Sequence, residues 1–329
     1  MNKDRPRALV TAPVRGPGLD ILKELADLVV DPWIDQHPIR IYDAEKLADR
    51  ARAEGATILV VEADLCGAAV FELPLVAVGS CRGDPNNVDV AAASAAGVPV
   101  LRAPGRNADA VAEAAVGLLL AATRWLVAAD RDVRAGEVMR GGDIPYQRFR
   151  GWQIAGRTAG LVGLGAVGRA LRWRLEGLGM RVIAYDPYAS DASHSLEDLL
   201  AESDVVSLHA PVTPETKGMI GKAQFDAMRD GAVFLNTARA QLHDTDALVA
   251  ALQSGKLAAA GLDHFEGEFL ASDHPLCALD NVVLTPHIGG ASYDTEANHT
   301  SLIAEDLRRL LAGERPVNIV NPEVLESRN

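Results

Sequence analysis

The sequence predicts an α/β protein built on doubly wound parallel sheets, and three observations lead to this fold class. Short apolar runs with strand character alternate with helical, alanine-rich stretches along the chain, as in βαβ units. These runs form two blocks separated by a long stretch without proline, which predicts two domains. In the second block, a glycine-rich turn follows a strand and opens a helix, which indicates a dinucleotide-binding domain.

The first block is predicted to contain four strands and one early helix. Its strands are expected at residues 8–12, 58–61, 75–78 and 98–101, and helical spacing covers residues 19–26. Pro104 and Gly105 mark the end of the block. The Ala- and Leu-rich segment that follows, residues 108–129, lacks proline and predicts one long buried helix.

The second block repeats the alternation, and its spacing suits a single doubly wound domain. Strands are expected at residues 159–162, 182–185, 205–208, 232–235, 259–262 and 282–284, with a helix at residues 169–178. No repeat of solenoid length interrupts this order.

Charge and composition exclude several classes of function. The 329 residues carry a formal net charge of −13, which argues against nucleic acid or an anionic membrane as a partner. An anionic substrate would therefore need a local arginine site. The three cysteines are scattered without a C-x-x-C pair, and residues 1–7 are charged. We therefore expect no disulfide framework, no signal peptide and a cytoplasmic location.

The glycine-rich turn has the pattern G-x-G-x-x-G at residues 163–168. Gly163 would permit the tight turn, Gly165 would let the backbone approach a pyrophosphate, and Gly168 would let the helix pack against the strand. Ala166 and Val167 would place their amides at the helix N-terminus, facing the phosphates. The alternative is an ordinary tight turn, but the flanking strand and helix favour the cofactor site.

Asp186 follows the next predicted strand, about twenty residues beyond the turn, where an acidic side chain would hold the ribose hydroxyls. Pro187 and Tyr188 come next, with no arginine to receive a 2′-phosphate. The sequence therefore predicts NAD rather than NADP as the cofactor. A turn residue at the end of a strand is the structural alternative for Asp186.

Three polar residues near the ends of late strands are candidates for chemistry, because an open α/β sheet binds ligands at that edge. Arg239 could bind a carboxylate in bidentate fashion, although it could also be a surface arginine. His287, between Pro286 and two glycines, is a candidate proton donor. A carboxylate beside it would stabilise the imidazolium, and spacing alone does not choose between Glu266 and Glu268.

Several motifs in the same order resemble the D-isomer-specific 2-hydroxyacid dehydrogenase family, which includes phosphoglycerate and glyoxylate/hydroxypyruvate dehydrogenases. The motifs occupy residues 103–113, 163–168, 208–216, 236–239, 261–268 and 285–290, so the resemblance covers nearly the whole chain. It implies two Rossmann-like domains with a cleft between them. A flavodoxin-like substrate domain would comprise residues 1–107 and 295–329, and an NAD-binding domain would comprise residues 108–294.

The resemblance also implies a role for each matching residue. Arg239 would bind the carboxylate and carbonyl of a 2-keto acid, His287 would be the acid/base, and Glu268 would pair with it. Hydride would pass between NAD and C2 of a D-2-hydroxy acid. Further cofactor contacts are expected from His209, Pro211, Thr216, Thr237, Ala238, Asp263 and Gly290. The resemblance also implies a dimer, which would be joined through about residues 125–152.

The chain departs from the family pattern at a few positions. The loop expected to hold the substrate carboxylate contains Arg82, Gly83 and Asp84. Arg82 could bind a second polar group of the substrate, or it could pair with Asp84 to brace the loop. His243 and His264 stand where relatives commonly have small apolar residues. They could indicate a metal, but nothing else in the sequence supports one, so we expect no metal site.

The sequence also allows other functions on the same scaffold. Some proteins with this fold bind NAD as sensors without catalysis, although a sensor has no need for the Arg/Glu/His set. A formate dehydrogenase would be expected to lack Glu268, and a phosphite dehydrogenase to carry a lysine in residues 80–87, which contain none. Glyoxylate, hydroxypyruvate, a phosphorylated hydroxy acid and a sugar acid are all possible substrates.

Overall fold

The computed structural model describes residues 5–328, and the chain divides into two compact units. One unit comprises Met1–Asn107 and Ser292–Asn329, and the other comprises Ala108–Ala291. The division at Ser292 falls slightly before the domain limit expected from the sequence. Residues 1–4, part of the charged segment for which we expect no signal peptide, lie outside the described residues.

The first unit contains a five-stranded parallel sheet in the order β2-β1-β3-β4-β5. Its strands are β1 (Arg7–Val10), β2 (Asp27–Val30), β3 (Ile58–Val61), β4 (Ala77–Ser80) and β5 (Val100–Leu101). This order is that of flavodoxin-like sheets. Strand β2 was not predicted, because it is a half-exposed edge strand of four residues that begins with aspartate.

The second unit contains a six-stranded parallel sheet in the order β11-β10-β9-β8-β6-β7. Its strands are β6 (Thr158–Val162), β7 (Arg181–Tyr185), β8 (Val205–Leu208), β9 (Ala232–Asn236), β10 (Leu257–Leu262) and β11 (Val282–Leu284). The predicted fold class, an α/β protein with two parallel sheets, is confirmed. The strand order reverses between β6 and β8, and a reversal of this kind is where such sheets bind ligands.

Eleven α-helices are found in residues 5–328. They are α1 (Pro17–Leu25), α2 (Ala44–Glu54), α3 (Val90–Ala95), α4 (Ala108–Thr123), α5 (Leu126–Arg134), α6 (Pro145–Arg148), α7 (Ala166–Gly177), α8 (Leu196–Glu202), α9 (Lys222–Ala227), α10 (Thr245–Gln253) and α11 (Tyr293–Leu311). Both faces of each sheet carry an apolar core, which is the layered arrangement expected of doubly wound folds.

The last helix, α11, belongs to the first unit because it packs against α1 at very short range. A Cβ added to Gly18 of α1 would lie 2.5 Å from the backbone nitrogen of Ser301. Only glycine permits this approach without a backbone shift. The side chain of Ser292 accepts a hydrogen bond from the Thr295 amide and caps the start of α11.

The single long helix predicted for residues 108–129 is wrong. Helices α4 and α5 are separate and meet at a bend of 66°. At the bend, Trp125 has a left-handed backbone with φ of 57°, and the Thr123 carbonyl accepts a hydrogen bond from the Trp152 amide. This long-range bond lies at the end of α4, and no local sequence pattern predicts that the helix ends there. No single helix within residues 5–328 is long and apolar enough to cross a membrane, and only the bent α4–α5 pair reaches such a length and composition together.

Candidate active site

The glycine-rich turn joins the fully buried strand β6 to helix α7. Gly163 has φ of 101°, and a Cβ there would lie 2.7 Å from the Ala210 backbone nitrogen. A Cβ on Gly168 would lie 2.2 Å from the Gly163 carbonyl oxygen. Both glycines are therefore required by the turn itself, because any side chain would collide with main-chain atoms.

Gly165 has a different role from its two neighbours in the motif. A Cβ at Gly165 would meet nothing within 4 Å, so the space above the turn is open. Gly165 is also the N-cap of α7, and no side chain caps this helix end. The free amides around Ala166 and Val167, at the positive end of the helix dipole, suit a pyrophosphate. The turn therefore fits a dinucleotide.

Asp186 follows strand β7 and lies beside the glycine turn. Its Oδ2 accepts a hydrogen bond from the Leu164 amide at 2.7 Å, and its Oδ1 accepts one from the Tyr188 amide at 2.8 Å. Each carboxylate oxygen keeps a lone pair for a ribose hydroxyl. The nearby Arg169 donates two hydrogen bonds to Asp191, at 2.7 and 2.9 Å, so an acidic partner already engages this arginine.

The loop at residues 209–216 follows strand β8, beside the glycine turn. The His209 main chain contacts Gly163, and its Nε2 is 2.9 Å from Ser207 Oγ. Its Nδ1 is buried without a hydrogen-bond partner, and burial lowers the pKa of His209 to about 4. Thr216 donates a hydrogen bond to the Pro211 carbonyl at 2.6 Å, which closes the loop on itself.

His287 and Glu268 form a hydrogen-bonded pair, with Nδ1 of His287 2.9 Å from Oε1 of Glu268. This contact identifies Glu268, rather than Glu266, as the carboxylate beside the imidazole. His287 is 44% exposed and Glu268 is 58% exposed. Nε2 of His287 has no hydrogen-bond partner within residues 5–328, so it is available to a ligand. The pair can therefore hold a proton at Nε2 while the carboxylate orients the ring.

Asp263 is buried and braces the loop that carries His287. Its carboxylate accepts hydrogen bonds from Thr285 Oγ1 at 2.6 Å, from the Ile288 amide at 2.9 Å and from the Gly289 amide at 2.7 Å. Its carbonyl accepts one from the His287 amide at 2.8 Å. The structure thus shows a positioning role for Asp263, while the expected contacts of Asp263 and Gly290 with the cofactor remain predictions.

Arg239 lies on the turn after strand β9, and a buried asparagine that we did not predict holds this turn. Asn236 donates to the Arg239 carbonyl at 2.8 Å and accepts from the Ala238 amide at 3.0 Å. His243 lies 3.0 Å from Asn236 through its Nδ1. The signal that could have revealed Asn236 is an amide at the end of an otherwise apolar strand. Thr237 Oγ1 is buried without a partner, a polar atom suited to a ligand.

His264 packs directly against the His287 ring, with ring centroids 3.8 Å apart. Its side chain is only 4% exposed, and its Nδ1 lies 3.9 Å from Oε1 of Glu268. Burial lowers the pKa of His264 to about 4, and the positive charges of His287 and Arg239 act in the same direction. The neighbouring carboxylates of Asp263 and Glu268 oppose this shift. His264 is therefore a neutral ring at neutral pH.

The predicted substrate loop belongs to the first unit. Arg82 donates through Nε to the Glu62 carbonyl at 2.6 Å and through one terminal nitrogen to Asn86 Oδ1 at 2.7 Å. Asp84 is exposed, and a Cβ on Gly83 would make only ordinary contacts with the chain around Pro104. These bonds show that Arg82 braces the loop through backbone and amide partners.

Comparisons with known proteins show which family the chain belongs to. The profile described as "D-isomer specific 2-hydroxyacid dehydrogenase, NAD binding domain" matches residues 116–289. A glyoxylate reductase of Thermofilum pendens is 37% identical over 98% of this chain and 97% of its own. Among solved structures, the TT0316 protein of Thermus thermophilus superposes with a TM-score of 0.80 at 36% identity, covering 95% of this chain and 99% of its own.

The apo-structure of D-lactate dehydrogenase from Escherichia coli is similar as well, with a TM-score of 0.75 at 28% identity, covering 96% of this chain and 99% of its own. These relatives support catalysis rather than NAD sensing. The chain belongs to the D-isomer-specific 2-hydroxyacid dehydrogenase family and is an NAD-dependent oxidoreductase that acts on a small 2-hydroxy or 2-keto acid.

Proposed function

We propose that this enzyme reduces glyoxylate or a similarly small 2-keto acid with NADH, and that Arg239, Glu268 and His287 carry the reaction. The observation that carries the assignment of the residues is the His287–Glu268 hydrogen bond of 2.9 Å, with Nε2 of His287 available to a ligand. The substrate is inferred from the relatives named glyoxylate reductase that match over nearly their whole length.

Each of the three residues has a separate task in this proposal. The Arg239 guanidinium binds the substrate carboxylate and polarises the carbonyl. NADH, when bound, supplies the hydride to C2. Protonated His287 gives its Nε2 proton to the carbonyl oxygen, and Glu268 holds the ring and stabilises the imidazolium through Nδ1. In the oxidative direction, Nε2 accepts the hydroxyl proton instead.

Cofactor binding is assigned to the residues around the glycine turn. We propose that the pyrophosphate binds the amides of residues 165–168 and that Asp186 accepts hydrogen bonds from the ribose. The buried Thr237 hydroxyl, together with Ala238, would lie on the nicotinamide side. The loop from His209 to Thr216 would cover the cofactor. The open space at Gly165 and the orphaned Thr237 hydroxyl support this assignment.

Arg82 and its neighbours Gly83 and Asp84 are proposed to select the substrate. Because Arg82 braces its own loop, its removal is tested by kinetics and by thermal unfolding together. Arg82→Ala should raise the KM for the keto acid by about tenfold, the effect of losing one hydrogen bond to a charged group. Unchanged kinetic constants would reject the role in substrate binding.

The reaction is tested by following NADH oxidation against 2-keto acids from glyoxylate to sugar-derived acids, with NADPH in parallel. Arg239→Ala and His287→Ala should each abolish most of the turnover, because a positioned acid/base contributes about 10²- to 10⁴-fold. Turnover that survives both substitutions would refute the assignment of the residues. Failure of glyoxylate, with turnover of a larger acid, would refute only the substrate.

We also propose that the enzyme works as a homodimer in the cytoplasm, without nucleic acid or membrane partners. The segment from Trp125 to Trp152 supports dimerisation, since it exposes many apolar side chains outside any core. They include Leu126, Val127, Val133, Val138, Met139, Ile144 and Tyr146, each at least 43% exposed. Analytical ultracentrifugation tests this: Met139→Glu should produce monomers, while Val317→Glu, an exposed apolar control outside this segment, should not.

A further inference from the structure

Three potential metal ligands converge at the proposed acid/base pair. One nitrogen of His264, one carboxylate oxygen of Glu268 and one nitrogen of His287 all lie within 4.8 Å of one another. The Nδ1 atoms of His264 and His287 are 3.9 Å and 2.9 Å from Oε1 of Glu268. Two imidazoles and one carboxylate form a known ligand set for Zn²⁺, in which the fourth position is left to water.

We propose that His264, Glu268 and His287 bind one divalent transition-metal ion of the Zn²⁺ type, and that this ion reversibly inhibits the enzyme. The inhibition rests on the proposed acid/base function of His287, whereas the binding of the ion does not.

Two of the three distances between ligand atoms are close to those around a tetrahedral ion, and the third is below 4.8 Å. With metal–ligand bonds of about 2.0–2.2 Å, tetrahedral geometry places the ligand atoms about 3.3 Å apart. The two measured distances, 2.9 and 3.9 Å, lie on either side of this value. Small rotations of Glu268 can equalise them, because its side chain lies on a loop and is 58% exposed. His287 is exposed too, so the ion and its water can enter from solvent.

His264 provides the third ligand, which the His287–Glu268 pair alone lacks. It is held in place by burial and by its contact with the His287 ring, so little side-chain entropy is lost when it binds an ion. Among residues 5–328, no side chain or backbone group forms a hydrogen bond with the ring nitrogens of His264, so a nitrogen of this otherwise buried ring is open to an ion. Asp263 and Glu268 add negative charge nearby, and Arg239 opposes them.

Metal binding and catalysis exclude each other at His287. The catalytic pair uses Nδ1 of His287 to donate a hydrogen bond to Glu268, and an ion at Nδ1 would take the place of that proton. It would also occupy the carboxylate oxygen that stabilises the imidazolium. With a metal on Nδ1, the ring can no longer cycle between imidazole and imidazolium, so proton transfer at Nε2 stops.

The binding test titrates the full-length protein, without NADH or substrate, with Co²⁺ and separately with Zn²⁺. We expect one equivalent to bind, with the intense visible absorption of four-coordinate Co²⁺. His264→Val keeps Glu268 and His287 and should weaken binding at least tenfold, since even indirect partners of a metal contribute about 10- to 100-fold. The matched control, His194→Val, removes a histidine outside the cluster and should leave binding unchanged.

The activity test measures NADH oxidation at increasing Zn²⁺, with each variant normalised to its own rate without metal. Wild type and His194→Val should be inhibited and restored by a chelator, and His264→Val should need at least about tenfold more Zn²⁺. Equal binding by wild type and His264→Val, or the absence of four-coordinate Co²⁺ bands, would overturn the proposal. Binding that depends on His264 in a protein that turns over no keto acid would uphold the metal site and reject the proposed function.

Discussion

Nδ1 of His287 lies 2.9 Å from Oε1 of Glu268, and both residues have a left-handed backbone with φ of 56°. Such a backbone is uncommon for residues other than glycine and costs about 1–3 kcal/mol at each position. Within residues 5–328, Trp125 is the only other non-glycine residue with positive φ. The surrounding loops therefore hold this pair against its local preference, and Asp263 fixes the loop of His287 with four hydrogen bonds, three to its carboxylate and one to its carbonyl.

Replacing Glu268 with glutamine should lower kcat by about 10²-fold or more while changing the KM of the keto acid little, because the carboxylate acts on His287 rather than on the substrate. Glu266→Gln is the matched control, since Glu266 lies on the same short turn but not against the imidazole. Glu268→Asp should recover part of the rate. Steady-state kinetics on the three variants decide the matter, and an equal loss in both glutamine variants would contradict the assignment.

Replacing either of two glycines of the same turn with alanine should have different effects on stability and on NADH binding. Gly168→Ala should destabilise the fold by about 1–3 kcal/mol or more, since its Cβ would meet the Gly163 carbonyl. Gly165→Ala should raise the KM for NADH, since its methyl group would enter the open space at the helix N-terminus, and should destabilise the fold by only about 0.5–1 kcal/mol, because alanine is a poorer N-cap than glycine. Gly177→Ala, at the end of the same helix, should stabilise by up to about 1 kcal/mol. Normal NADH affinity in Gly165→Ala would argue against the proposed phosphate position.

The buried His243 should make the protein sensitive to acid. Burial lowers the pKa of His243 to about 4, and Asp244 only partly offsets the effect. The folded state therefore binds this proton less readily than the unfolded state, whose value is near 6.5. Its contribution to stability is complete above pH 6.5, and it falls as the pH drops from 6.5 through 4, by on the order of 3 kcal/mol in total.

His243→Gln keeps an acceptor for Asn236 but cannot be protonated, so this part of the acid loss should disappear. Urea unfolding at a series of pH values measures the effect as a shallower dependence of the free energy of unfolding on pH. His194→Gln, a substitution at a histidine outside the core, should retain the wild-type slope. If the free energy of unfolding depends on pH equally in all three proteins, His243 does not cause the loss of stability in acid.

Gly18→Ala should destabilise the first unit by about 1–3 kcal/mol, because the new methyl group would collide with the backbone of α11 at Ser301. Gly117→Ala is the control in another helix, where a Cβ meets nothing within 4 Å. Thermal unfolding should show a lower melting temperature for the first variant and none of this loss for the second. Equal stability would mean that α1 and α11 can separate slightly at little cost.

The fold class and most strands were predictable because their signals are local. The strands Ile58–Val61 and Val205–Leu208 have the limits predicted from the sequence, and the glycine turn was recognised from the spacing of its glycines. Strand β2 escaped prediction because its pattern is short and half exposed. The bend between α4 and α5 escaped because a distant amide, that of Trp152, accounts for it.

The candidate site could be predicted only in part, because some of its contacts join residues that are distant in the sequence. The sequence by itself determined the reaction class through Arg239, His287 and the glycine turn, because each lies in a motif whose chemistry depends on neighbours in the chain. The family resemblance implied Glu268 as the partner of His287, and the tertiary structure placed the two side chains in contact. Only the tertiary structure assigned Asn236 and Asp263 to bracing the loops and stacked His264 on His287. Those contacts join residues on different loops, and their distances depend on how strands β9, β10 and β11 align in the sheet, which no local pattern encodes.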